Sequence, residues 1–383
     1  VSTAPIQAME ISLYPAYNAI SKMIFADPEM RQDIICIGGT SQWPATIFRG
    51  TDQWGEKFGY ILVDPIGGAI GAFSTGDGIS TGGQARTPIC KMPNVEHTEQ
   101  DFPVLFLYRK EMPNSGGAGK FRGGLSAESC FIPHNTDQII HDTLSSGNAT
   151  PTATGMMGGY PGATNGYRFK RSSNVLGRME DQELIEDIDD LSGESVTLGL
   201  RQIEFLQKPD DVYAVLCSAA GGFGDPLDRD PHSVCADVGQ YSVTAEAAEE
   251  IYGVILADDV VDWSATEVLR EERRMRRRRS GQTICSKEPV TLQLTENLTL
   301  RGGHYCCAKC SAVLGKKGDN YKDGCVCEDQ PVSSSNPLIG DPARFIDDVP
   351  VFRQFFCPGC GGLIENEVAV QTDPYLMDLN LAH

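Results

Sequence analysis

Two short cysteine pairs, Cys307-x-x-Cys310 and Cys357-x-x-Cys360, stand near the end of the chain with residues 311–356 between them. Each such turn places two thiolates on one side of a tight loop. Two turns together complete a tetrahedral sulfur site for Zn2+, with Zn–S bonds of about 2.3 Å. No other feature limits the fold as strongly, because both ends of this stretch must meet at one point. The chain holds 13 cysteines. Six of them (Cys36, Cys90, Cys130, Cys217, Cys235 and Cys285) are scattered, most among apolar or small neighbours, while the remainder crowd between Cys306 and Cys360. An odd total with two C-x-x-C pairs suits a metal site better than a disulfide framework. A closed four-thiolate site leaves no coordination position for water, so Zn2+ here is expected to be structural, folding a segment too small for its own core. Cys306, Cys325, Cys327 and His304 are further candidates that could replace one ligand or serve a second site. A redox role for the pairs lacks the surrounding βαβ pattern.

The chain has 383 residues, which calls for more than one core. Its formal charge of −20 disfavours binding nucleic acid, since phosphates would be repelled. No apolar run approaches the roughly 20 residues of a membrane helix. The first residues, VSTAPIQAMEISLYPAYNAI, show no basic segment followed by an apolar one, so no secretory signal is read. A cytoplasmic protein is expected. Without an initiator Met, Val1 reads as internal to a longer precursor or as the start of a processed or incomplete chain.

Residues 1 to about 35 follow a helical period through Ile6, Met9, Leu13, Tyr17, Ile20 and Ile24, with Pro15 expected to kink or interrupt it. From residue 36 to about 217, short apolar runs alternate with Gly and Pro, predicting strands and tight loops. A helical segment follows: Asp230 and Pro231 make a helix start, a second helix is expected over 243–252 before Gly253, and a third over 264–279. The run REERRMRRRR ending that helix reads as a solvated or inter-subunit surface. The expected fold class is α+β: a β-rich body over 1–280, a linker over 281–303, and a cysteine-rich module over 304–383.

NSGGAGKFRGG, residues 114–124, looks at first like a nucleotide loop. A phosphate-binding loop needs G-x-x-x-x-G-K-[ST]. Aligned on Gly119-Lys120, its first glycine falls on Asn114 and its hydroxyl on Phe121, so both ends fail. In AAGGFGDPLDRDP, residues 219–231, the third glycine of a dinucleotide pattern would fall on Leu227, and Pro226 stands where the helix should begin. Both stretches are better explained as turns needing positive φ, or as places where backbones approach closely.

These two stretches, together with GGAIGAFSTGDG (67–78) and PNVEHTEQDFPV (93–104), occur in an order and spacing similar to the B component of the hydantoinase/oxoprolinase family. SVTAEAAEEIYGVIL also looks like the segment that follows the family's glycine-aspartate-proline turn. The resemblance spans about residues 10–280 and is to the C-terminal half of that component. The tail, notably FRQFFCPGCGGLIENEVAV, looks like the small zinc-bearing subunit of acetone carboxylase. Together they imply one subunit of an ATP-dependent, multi-subunit carboxylase acting on a ketone of the acetone or acetophenone type. They also imply a hydantoinase-A-like partner that binds ATP, a separate chain carrying the family's N-terminal half, a small ketone and bicarbonate as substrates, and an active-site metal as an open question for the partner chains. The rivals are ATP-dependent opening of a cyclic amide and a zinc-bearing scaffold without catalysis.

Candidate catalytic groups are Asp77, Glu96, His97, Glu99, Lys120 and Arg122. Asp77 sits in a turn-rich glycine loop where ligands can approach. Glu96 and Glu99 share a face only if their stretch is helical, and a hydrogen-bonded loop bridge is the plainer reading. Lys120 and Arg122 could hold a carboxylate or phosphate, or pair with the acidic surface. His134, His141 and His232 are isolated and read as structural.

Overall fold

The computed structural model describes residues 3–31, 44–84, 87–88, 90, 92–281, 283 and 288–381. Cys36 and Cys285 lie outside the described residues. Among the described residues, the two large sheets of the body are antiparallel. One runs in the order Arg201–Gln207, Ile139–Leu144, Ala45–Thr51, Lys57–Ile61. The other runs Val104–Glu111, Ala127–Pro133, Val212–Leu216, Gly166–Arg171, Glu194–Val196. Along Ile139–Leu144, alternate residues are buried, the pattern of a strand with one face in the core. Phe48, Phe131, Phe169, Phe205 and Tyr213, drawn from both sheets, share a single core. Val212–Leu216 is buried throughout, because its other face meets Val175, Ile185, Ile188 and Leu191.

Beside the sheets, four glycine-rich segments run against one another as extended chain. Gly117 N–H donates to Ala220 O (2.8 Å), Tyr160 N–H to Ala118 O (2.7 Å), Gly222 N–H to Tyr160 O (2.9 Å) and Met156 N–H to Gly222 O (2.9 Å). Residues 70–78 join through Ala72 N–H to Gly221 O (3.0 Å) and Gly78 N–H to Arg122 O (2.7 Å). A Cβ on Gly117, Gly123, Gly159, Gly221 or Gly222 would collide with the backbone of the neighbouring segment. Of the two reasons expected for these glycines, close approach governs 116–124. The only positive φ at that end belongs to Asn114 (62°). Gly224, at φ 75°, does need a conformation that favours glycine.

Among the described residues six helices accompany the strands: α1 (Thr3–Ala26), α2 (Val95–Asp101), α3 (Val175–Glu180), α4 (Pro231–Gly239), α5 (Ala245–Glu250) and α6 (Trp263–Arg276). α1 runs through Pro15 without interruption. Its inward stripe is Tyr14, Ser21 and Phe25, and Ile20 is left 51% exposed. The apolar period read from the sequence is thus rotated, because this face meets polar neighbours as well as core. α4 to α6 begin where expected, capped by the side chains of Asp230, Thr244 and Asp262.

In the tail, Val290–Gln293, Leu298–Arg301, His304–Cys307 and Val313–Lys316 form one antiparallel sheet, and Val326–Pro331, Pro350–Phe356 and Leu363–Val370 another. Two strands of the first sheet therefore lie in the stretch read as linker: Leu298 pairs with Cys307 and Arg301 with His304. Phe352, Phe356 and Leu363 of the tail share a core with Tyr160, Val234, Tyr252 and Val254 of the body. The tail thus rests on the body's apolar surface as well as on its own.

Candidate functional site

The two cysteine turns are built alike. Cys307 N–H donates to Ala312 O (2.9 Å) and Ser311 N–H returns to Cys307 O (2.9 Å). In the second turn, Cys357 N–H donates to Gly362 O and Gly361 N–H to Cys357 O, both at 2.8 Å. The residue after each second cysteine is left-handed, Ser311 at φ 62° and Gly361 at φ 72°. These matched turns bring the ligand atoms of Cys307, Cys310, Cys357 and Cys360 within 4.8 Å of one another. Sulfur separations are 3.7 Å for Cys307–Cys360 and 3.5 Å for Cys310–Cys357. Four sulfurs about 2.3 Å from a central Zn2+ would stand about 3.8 Å apart, so the set fits a tetrahedral zinc ion. Among the described residues this is the one cluster of metal-ligating side chains found. Cys306, Cys325, Cys327 and His304 stand outside it; burial pushes the Cys325 thiol well above its ordinary range.

The cysteine cluster is clamped onto the body's glycine-aspartate-proline turn. Lys309, between the first two cysteines, pairs with Asp228. Asp225 accepts the N–H of Leu363, just past the second knuckle (2.9 Å). The chain end of α6 closes a third side, with Arg279 N–H donating to Pro358 O (2.8 Å). Its arginines face inward more than the sequence suggested. Arg270 donates to Tyr252 O (3.0 Å) and Arg229 O (2.8 Å), Arg273 to Glu250 O (2.7 Å), and Arg274 to Leu227 O (3.1 Å) and Asp228 (2.9 Å). Arg277 lies over the Phe356 ring at 4.1 Å. Nothing in the residue types marked which carbonyls these guanidinium groups would find.

Of the candidate catalytic groups, Asp77, Lys120 and Arg122 come together. Asp77 accepts from Arg122 N–H (2.7 Å) and is bridged by both terminal nitrogens of Arg229 (2.6 Å each). Arg229 continues to Asp237 (2.7 Å), which Arg122 also meets at 3.4 Å. Burial opposes ionisation of Asp77, yet the Arg229 guanidinium holds its carboxyl below the usual range. Lys120 lends its carbonyl to Arg229 (3.3 Å) and pairs its amine with Glu296 of the tail at 2.6 Å. Glu96, His97 and Glu99 lie apart on α2, which Asn94 caps. Glu99 accepts the N–H of Phe106 (2.8 Å), and Glu96 and His97 are exposed. Sequence reasoning missed Arg229 and Asp237, the centre of the first group. Arg229 sits in the quoted DPLDRDP stretch, but its charge partners come from residues far apart in the chain.

The fold is thus a β-rich body laced with extended glycine segments, carrying a thiolate module on its aspartate turn. The chain belongs to the hydantoinase B/oxoprolinase family, whose profile matches residues 7–226. A second profile, the acetone carboxylase gamma subunit, matches residues 284–382. The chain is 29% identical to the acetophenone carboxylase delta subunit of Aromatoleum aromaticum over 69% of this chain, and spans 40% of that relative's length. The tail is 33% identical to the acetophenone carboxylase beta subunit of the same organism, over 22% of this chain and 68% of that subunit. Among solved structures, nucleotide-free acetone carboxylase superimposes with a TM-score of 0.55 at 27% identity, covering 61% of this chain and 33% of its own. Among the described residues, no helix is long and apolar enough to cross a membrane.

Proposed function

We propose that this chain is a subunit of a multi-subunit, ATP-dependent carboxylase that acts on a small ketone of the acetone or acetophenone type. The observation that carries this reading is the union, in one chain, of a hydantoinase-B-type body with a tail of the acetone carboxylase gamma kind. The tail is held to the body by Lys309–Asp228, Asp225–Leu363 and a shared core. Cys307, Cys310, Cys357 and Cys360 hold a structural Zn2+, and their closed set leaves the chemistry to other groups. ATP belongs to a hydantoinase-A-like partner. The reaction joins an enolate carbon of the ketone to the carbon of a carboxy-phosphate formed from bicarbonate and ATP; phosphate leaves as the new C–C bond forms. In this scheme Asp77, Lys120 and Arg122 are positioning residues, which fix the glycine segments against the tail. Exposed Glu96 and His97, with Glu99 on the same helix, are the groups of this chain offered to a partner.

Purification of the complex around a tagged chain, followed by assay with ATP, bicarbonate and either acetone or acetophenone, tests the proposal. Ketone-dependent carboxylate formation is expected from the complex and none from the chain alone. Turnover of a cyclic amide in place of both ketones would overturn it.

A further inference from the structure

One outer strand of the body carries an open row of backbone groups. Lys57–Ile61 pairs with Ala45–Thr51 on one side only. Asp52 N–H donates to Glu56 O (2.8 Å) and Leu62 N–H to Thr46 O (2.9 Å). Bonded pairs alternate along an antiparallel ladder, so Phe58 and Tyr60 turn their backbone groups toward Ala45–Thr51. Lys57, Gly59 and Ile61 turn theirs outward. All three residues are exposed, and among the described residues no hydrogen bond reaches those groups.

Other edges of the body are managed. On Arg201–Gln207, the far edge of the same sheet, a bulge between Gln202 and Phe205 breaks the ladder, and Glu204 there takes φ 57°. On Val104–Glu111, the outer strand of the second sheet, Glu99 takes up the Phe106 N–H (2.8 Å). Bulges and covering groups of this kind keep an edge from pairing with another chain. Lys57–Ile61 holds no proline, and its register with Ala45–Thr51 runs without a bulge. Before it the chain makes a locked turn. The Asp52 carboxylate accepts the N–H groups of Trp54 (2.9 Å) and Glu56 (2.8 Å), Gly55 takes φ 88°, and Gln53 ties the turn to α2 through Gln100 O (2.9 Å). The turn holds Trp54 67% exposed. A rigidly presented indole suits an interface anchor, because little freedom is left to lose on contact.

We propose that this edge pairs with the same edge of a second copy of the chain, about a two-fold axis at Gly59. The strand is self-complementary in that register. Antiparallel pairing centred on Gly59 sets Lys57 of each copy opposite Ile61 of the other, and Gly59 opposite Gly59. These are the residues whose groups point outward, so every pair exchanges two hydrogen bonds. The two lysines stand at opposite ends, and on the axis no side chain meets its own copy. Trp54 of each copy comes to the end of the other's strand, where Ile61 is 45% exposed. The net charge of −20 repels two copies, but this repulsion is screened beyond about 8 Å at physiological salt, and Lys57 and Glu56 balance at the edge itself. A strand about 17 Å long and one indole make a small interface, so a dimer of micromolar strength is expected. Such pairing is independent of the ketone reaction.

Sedimentation equilibrium of the purified full chain over about 1–200 μM, with amide exchange recorded at both ends of that range, tests this. A reversible monomer–dimer equilibrium is expected, with exchange slowed in the dimer at Lys57, Gly59 and Ile61. Phe58 and Tyr60, already bonded within the chain, should change little. Gly59→Pro removes an outward N–H where an edge strand tolerates proline, and should weaken the dimer about tenfold or more. Trp54→Ser should weaken it by about tenfold. Melting temperatures show whether each variant folds; should Gly59→Pro fold poorly, Trp54→Ser and the exchange pattern of the parent protein decide. A monomer throughout, a dimer with the edge unprotected, or unchanged association in well-folded variants would overturn the proposal. So would a purified complex whose edge is protected while its intact mass contains a single copy of this chain, since a partner's strand would then hold the edge.

Discussion

At the scale of single residues, side-chain volume sets the limits in the glycine bundle. Gly222 faces the carbonyls of Gly117 and Ala118 with no space for a Cβ. Gly222→Ala should therefore destabilise the protein by about 3 kcal/mol, as overpacking does. Gly239 ends α4 with nothing near its Cβ position, so Gly239→Ala should be neutral or stabilising by about 0.5 kcal/mol. Urea denaturation midpoints compare the two. His141 offers a second test. It is fully buried among Phe48, Phe131, Phe205 and Tyr213, and neither ring nitrogen has a hydrogen bond. Burial pushes its pKa down to about 3 from the ordinary 6.5. The neutral ring's contribution is thus complete above pH 6.5 and is lost as pH falls from there toward 3. His141→Phe should flatten that part of the stability–pH curve, measured by thermal melts between pH 4 and 7.

At the scale of elements, α6 acts as a strut. Arg270 spans two carbonyls that belong to different segments, Tyr252 and Arg229. Arg270→Ala should cost about 2 kcal/mol by thermal melting, the scale of lost charge-assisted bonds. Arg270→Lys should recover little, because one ammonium cannot reproduce the planar fork. This helix was legible in the sequence over 264–279, because periodicity is a local signal, while its cap at Asp262 came from the structure. The carbonyls its arginines find were not legible, because they depend on how residues 227–252 fold. The same division runs through the site. The four cysteines could be read from spacing alone, whereas the Asp77–Arg229–Asp237 network is assembled from three distant stretches. The glycines announced that something must come close, but not which neighbour. The rotated face of α1 was misread because its inward stripe of Tyr14, Ser21 and Phe25 is flanked by half-buried Asn18 and Lys22, residues that look solvent-facing in the sequence.

At the scale of the whole molecule, body and tail share their structure too fully to melt apart. With Phe352, Phe356 and Leu363 set among body residues, calorimetry should show one cooperative transition. Stripping the metal with a chelator should lower that single melting temperature while releasing about one zinc per chain, and Cys357→Ser should abolish zinc retention. Amide exchange should then quicken at Arg279 and Leu363, whose N–H groups the knuckle contacts hold. The covalent joining of the two parts has a further result. In Aromatoleum aromaticum the counterparts of body and tail are separate subunits; here one polypeptide carries both. Their contact no longer depends on concentration, since linkage makes the encounter intramolecular. Dilution cannot part them, and every chain made carries one of each.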